Sequence, residues 1–288
     1  RTFTFPVTLP EGQHRIEARL DDDAYTADNR VQHFVRAGER LRILLVLPEK
    51  PVGDGFERPG AFLQRALDAA ESTTFRFSVE ALRANMLTRT SFDQRDVVII
   101  CDGTLLQNVV QEALATYVRK GGGVLIATGP HTEPATFNQN TRDFLSVKLK
   151  ASFRSQFDSE RYLHIQPGHI GLQALKEFED DVNGNLGHAR IYNHWVVSEP
   201  PASTQTICRM TNGDPLLLQQ PFGRGRVLLW TTSLSGAWTS LPVRQAYLPF
   251  VYRLLNYASG FDQPPHNVNP GDPLIASVPA SAGNLFVT

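Results

Sequence analysis

The 288-residue chain carries almost no surplus charge: 28 Lys and Arg face 29 Asp and Glu, a formal net of −1 at pH 7. Composition therefore supplies no basic surface to gather a phosphate backbone or an anionic membrane, and no nucleic-acid partner is expected. Cysteine is scarce as well. Cys101 and Cys208 cannot build a disulfide framework, and sequence leaves their pairing open. No apolar run reaches the roughly 18 residues that span a bilayer. Zinc motifs such as H-E-x-x-H are missing, although His164, His169, His188 and His194 fall close together; without such a motif they read as exposed or capping histidines. Gly121 to Gly123 follows a predicted helix and precedes a strand, the reverse of a phosphate loop, and Gly223-x-Gly225 is followed by another strand. No metal and no cofactor is expected.

What is present is an α/β pattern. Asp96 to Gly129, DVVIICDGTLLQNVVQEALATYVRKGGGVLIATG, reads as buried strand, amphipathic helix and buried strand, a parallel βαβ unit. Asp102 or Thr104 is the expected N-cap of its helix, and Lys120 with the glycines its end. Upstream, LRILLVL at Leu41 to Leu47 suits a strand covered on both faces. Gly60 to Glu71 shows helical spacing and Phe75 to Leu82 alternates as a strand. The Pro- and Gly-rich loop Pro48 to Pro59 sits where open sheets collect ligands. Downstream, Thr136 to Leu145 reads as a helix with Asn138, Asn140 and Arg142 on a polar face. Val147 to Phe157, Tyr162 to Gln166 and Ile191 to Ser198 read as strands, and Ile170 to Phe178 as a helix. Thr204 to Thr211, Leu216 to Gln220 and Arg226 to Thr232 are strands joined by hairpin turns, the first at Asn212-Gly213-Asp214-Pro215. Pro242 to Tyr257 closes the series as a helix.

The flanks differ. Residues 1–38 read as the end of a β domain: a hairpin of Thr2 to Leu9 with His14 to Leu20, then a strand at Val31 to Arg36. Asp21-Asp22-Asp23 matches no calcium loop and reads as a solvated turn. Residues 39–262 form the expected α/β domain, and 263–288 a linker with the start of a further β segment. Beginning at Arg1 and ending at Thr288 within a predicted strand, the chain reads as a piece of a longer protein.

YVRKGGGVLIATG preceded by DVVIICD resembles the class I glutamine amidotransferase-like superfamily. GDPLLLQQPFGRGRVLLWTTSLSGAWTSLP resembles the C-terminal half of such domains in large bacterial BatA and von Willebrand factor A-type membrane-anchored proteins. The resemblance implies a flavodoxin-like parallel sheet with helices on both faces, preceded at residues 1–38 by the C-terminal part of a β-sandwich domain. It also implies an extracytoplasmic, periplasmic placement, with membrane contact only through segments outside this sequence.

The resemblance implies a nucleophilic cysteine in the turn Ala127-Thr128-Gly129-Pro130-His131, and none is there. Cys101 and Cys208 fall in predicted strands and read as buried. Four residues remain as candidates: Asp102, Thr128, His131 and Glu133. Thr128 is a conceivable nucleophile, although Pro130 removes one backbone donor from the turn. His131 would be a general base, with Glu133 or Asp102 orienting it. The leading expectation is a non-catalytic binding or scaffold module for an unknown protein partner or small ligand. The alternative is a hydrolase or small-ligand enzyme of the same superfamily, similar to the ThuA-type proteins.

Overall fold

The computed structural model describes residues 9–10, 12–19, 30–37, 40–50, 53–70, 77–103, 106–154, 162–166, 168, 170–180 and 184–260. The chain divides into two units, residues 1–39 with 263–288, and residues 40–262. In the first, β1 (Gly12–Arg19) pairs antiparallel with β2 (Arg30–Ala37), in register from Gly12 with Ala37 to Arg19 with Arg30. All but Leu9 of the expected hairpin partner at 2–9, the acidic turn at 21–23 and the segment after 262 lie outside the described residues.

The second unit runs β3 (Leu41–Leu47), α1 (Ala61–Ala70), β4 (Phe77–Arg83), β5 (Val97–Ile100), α2 (Asn108–Arg119), β6 (Gly123–Ala127) and α3 (Pro134–Thr141). It continues through β7 (Leu149–Arg154), β8 (Asn193–Val197), β9 (Gln205–Arg209), β10 (Pro215–Phe222), β11 (Gly225–Trp230) and α4 (Tyr247–Ser259). Seven strands form one sheet in the order β4-β3-β5-β6-β11-β10-β9. The first five are parallel; β10 and β9 extend the sheet antiparallel, through the two hairpin turns read from the sequence.

The central strands are continuous apolar runs because both faces are covered. Successive side chains alternate faces. Ile43, Leu45, Ile99 and Leu125 meet Leu63 and Leu67 of α1 and Phe250, Val251 and Leu254 of α4. Leu44, Val46, Val98, Val124 and Ile126 meet Val110, Leu114 and Val118 of α2 and Phe137 of α3 on the other face. This is a flavodoxin-like, mostly parallel α/β sheet with helices on both faces.

Three expectations change. Ile170 to Phe178 is not an α-helix but contains a 3-10 helix at Gln173–Glu179. Its buried residues Leu175 and Phe178 follow Leu172 at intervals of three, the 3-10 repeat. Tyr162 to Gln166 makes only single bridges, Leu163 to Ile191 and Ile165 to Met210. The closing helix starts at Tyr247, not Pro242, after a short 3-10 turn at Leu241–Val243. Pro249 explains the delay: with no N–H it is tolerated in a first turn but would break a helix already under way. No helix among the described residues is long and apolar enough to cross a membrane.

Candidate functional site

The strand order reverses at β3 and β5: the chain moves outward from β3 to β4, then crosses back to β5 on the other side. The crevice beyond the carboxyl ends of strands at such a point is the usual ligand position of this sheet class. Here the loops after β3, β5, β6 and β11 converge on a small cavity of about 10 Å³, room for roughly one water, whose walls include Gly60, Cys101, Asp102, Thr128, Ser233 and Ser235.

Asp102 follows β5 in a left-handed conformation (φ 60°, ψ 32°), which Asp tolerates better than most residues. Its side chain serves as no helix cap, contrary to the sequence expectation; α2 begins after Gln107, without a side-chain cap. The carboxylate turns instead toward the loop after β6. Oδ2 lies 2.6 Å from His131 Nδ1, and Oδ1 accepts from the His131 backbone N–H at 3.1 Å and from Thr132 Oγ1 at 3.4 Å. The Asp102 side chain is 2% exposed and the His131 side chain 44%. The pair thus has a dry half and a wet half. Burial raises the Asp102 pKa above its usual carboxylate value, and the bonds from His131 and Thr132 pull it back part of the way.

Two glycines make this approach possible. A Cβ on Gly129 would sit 2.3 Å from Asp102 Oδ1, and one on Gly103 would sit 2.8 Å from the Thr132 side chain. Gly103 also takes a positive φ of 49°.

Thr128 lines the cavity with its hydroxyl turned toward backbone carbonyls. It is 1% exposed, and its hydroxyl is within reach of the Trp230 carbonyl at 3.2 Å and the Thr232 carbonyl at 3.5 Å. The backbone donors of its turn are also occupied. Thr128 N–H donates to Trp230 O, Gly129 N–H to Thr132 Oγ1, His131 N–H to Asp102 and Thr132 N–H to Gly129 O; Pro130 has none. No donor in this turn is left for an oxyanion. Glu133 does not orient His131: it sits ahead of α3, exposed, and its carboxylate accepts from Thr136 Oγ1. Of the four candidates, the structure brings Asp102 and His131 together and leaves Thr128 and Glu133 out of the pair.

Both cysteines are buried thiols. Burial, then the Asp102 charge, pushes Cys101 up to about 12, and burial, then Glu179, does the same to Cys208, so neither presents a thiolate. The polar face expected on α3 is structural. Asn138 clamps β7 by bonding both N and O of Leu149, and Asn140 accepts from Gln111.

Sequence reading missed Thr132 and the role of Trp195. The β8 main chain meets the end of β11 through Trp195 N–H to Thr231 O at 2.8 Å, and the indole N–H donates to Gly129 O at 3.1 Å. Nothing in the sequence signals either contact. A larger groove of about 640 Å³ between α2 and residues 89–96 contains none of the candidates; its charged walls, among them Arg89, Asp93, Glu112 and Lys120, are solvated side chains.

The histidine group is corrected in one member. His194 is fully buried rather than exposed, with Nε2 2.8 Å from Asp214 Oδ2. His169 lies outside the described residues. Among the described residues no three His, Cys, Asp or Glu side chains are placed to hold a metal ion. Burial lowers the His194 pKa below 6.5 against the opposing pull of Asp214. The unfolded chain takes up a proton near pH 6.5 that the folded chain refuses, so stability falls on acidification from there, by at most about 1.4 kcal/mol per pH unit. Asp102 acts oppositely: with its pKa raised above 3.8, its contribution is full below 3.8 and is lost as pH rises through the raised value. Comparing the parent with His194→Asn isolates the first effect. The parent's urea midpoint should drop more steeply than the variant's between pH 7 and 5.5, and parallel slopes would contradict this.

Comparison with known proteins adds to the fold alone. No family model and no curated protein matches the chain. Among solved structures, cytoplasmic protein STM3548 from Salmonella typhimurium is similar with 14% identity and a TM-score of 0.58, over 76% of this chain and 99% of that one. Cytoplasmic protein STM1381 from Salmonella typhimurium LT2 is similar with 16% identity and a TM-score of 0.56, over 75% and 99%. A putative ThuA-like protein from Parabacteroides merdae has 13% identity and a TM-score of 0.48, over 77% and 90%.

Proposed function

We propose that the crevice is a proton-transfer site in which His131 is the general base and Asp102 fixes its tautomer. The observation that carries this reading is the 2.6 Å contact between Asp102 Oδ2 and His131 Nδ1 at the carboxyl edge of the sheet. An ionised carboxylate only accepts, so the facing ring nitrogen carries the proton and Nε2 keeps its lone pair on a ring that is nearly half exposed. The pair can take a proton from a water or from an acidic group of a small ligand. Acyl transfer through a covalent intermediate is disfavoured, because the turn after β6 offers neither nucleophile nor free oxyanion donor. The reading is thus a hydrolase or small-ligand enzyme that works by base catalysis.

A screen of the protein against amides, esters and glycosides, with and without added divalent metal, tests it. Turnover in one class that disappears in His131→Ala supports the proposal. A second reading, a binding or scaffold module within a larger, membrane-anchored bacterial protein, is favoured by the missing nucleophile and the small cavity. Absence of turnover in every class would favour it instead.

A further inference from the structure

Asp102 and His131 do not stand alone. Thr132 is 5% exposed and uses both capacities of its hydroxyl: it accepts from Gly129 N–H at 2.9 Å and donates to Asp102 Oδ1 at 3.4 Å. Having one proton to give, it gives it to the carboxylate. Gly129 is held in turn at its carbonyl, which accepts from Thr132 N–H at 3.2 Å and from the Trp195 indole at 3.1 Å. A hydrogen-bonded chain therefore runs from the Gly129 N–H through the Thr132 hydroxyl to Asp102 and on to His131, while Trp195 on β8 fixes Gly129 from its carbonyl side. Linked donors and acceptors in a dry site polarise one another. The space for this chain is specified, since a Cβ at Gly103 would meet Thr132 and a Cβ at Gly129 would meet Asp102.

We infer that Thr132 is the positioning residue of the site: its hydroxyl turns the Asp102 carboxylate so that Oδ2 faces His131 Nδ1, and holds that carboxylate in its charged form. The inference rests on the proton-transfer reading for its functional meaning, while the hydrogen-bond chain itself can be tested without a substrate. A hydroxyl that donates to a carboxylate favours the ionised state, so removing it raises the carboxylate's proton affinity. A threonine that merely filled space would be replaced by valine with no such change.

The test compares Thr132→Val, which keeps the shape and loses the hydroxyl, with Thr132→Ser, which keeps the hydroxyl; Thr132→Ala provides a second hydroxyl-free variant. Two NMR observables are followed in the full chain, with folding checked by circular dichroism. These are the carbon-13 titration of the Asp102 carboxyl and the low-field proton signal of His131 Nδ1–H. In the valine and alanine variants the Asp102 midpoint should move up by about half a pH unit or more and the Nδ1 signal should broaden or vanish, while serine restores both. An unchanged midpoint and signal in both hydroxyl-free variants, or a serine variant that behaves like valine, overturns the inference. The two readings fail separately. A shifted titration in a protein with no turnover leaves the positioning role standing and removes the enzyme reading. Turnover with an unshifted titration does the reverse.

Discussion

Replacing His131 by alanine is expected, if the crevice is the proposed base-catalytic site, to lower kcat for its substrate by roughly a hundredfold to ten-thousandfold, the usual contribution of a positioned general base. The fold should survive, since the imidazole is 44% exposed and stands at the rim of the sheet rather than in its core. Asp102→Asn should produce a loss of similar order for a different reason. An asparagine amide facing Nδ1 takes the place of an acceptor with a donor. That forces the proton onto Nε2, so the ring no longer offers a lone pair to the crevice. In both variants kcat should fall far more than KM changes, because in the proposed role the residues act on the proton in flight rather than on ligand affinity. Steady-state kinetics of parent and variants check this. A variant retaining more than about a third of parental kcat would remove its residue from the chemistry.

Phe250→Ala is expected to be the most damaging single truncation for stability, costing about 3–5 kcal/mol. Phe250 is fully buried in α4 and packs on Trp230 of β11, with ring centroids 5.6 Å apart, and edge-on against Phe178, 5.9 Å away. It joins α4, the sheet and the 3-10 segment at one point, so truncation opens a cavity bordered by three elements that cannot all close in. The same residue anchors the end of β11, from which the wall at Ser233 and Ser235 departs. Urea denaturation gives the loss directly. A change below about 1 kcal/mol would mean that this face of the sheet repacks freely.

The central sheet was legible because its chemistry is local. Strands with both faces buried must be apolar where they are covered; VVII and GVLIA are apolar throughout, and LRILLVL is apart from exposed Arg42 near its start. Elements whose form depends on a neighbour were read less well. Pro249 delays α4, and the spacing of Leu172, Leu175 and Phe178 makes a 3-10 helix of what resembled an α-helix. The site lay between these extremes. Asp102 and His131 were visible as polar residues after two buried strands. Their contact was not, because it depends on Asp102 adopting φ 60° and turning away from the helix it precedes. Glu133 stood beside Asp102 as a possible partner of His131, yet it faces Thr136. Thr132 carried no signal, being one threonine in a loop whose importance comes from a carboxylate 30 positions earlier. His194 was misjudged for the same reason: the Asp214 carboxylate that meets it lies 20 positions on, in the turn between β9 and β10.

The most direct measurement is the rate at which diethyl pyrocarbonate carbethoxylates His131, followed by mass spectrometry at near-neutral pH in the parent and in Asp102→Asn. The reagent needs an unprotonated ring nitrogen that is free to attack, the same property a general base needs. If Asp102 holds the proton on Nδ1 and leaves Nε2 available, His131 in the parent reacts readily, and the asparagine variant reacts about tenfold more slowly or less, while the other modified histidines keep their rates. Equal rates at His131 in the two proteins would contradict the account, because the carboxylate would then lie beside the imidazole without governing its chemistry.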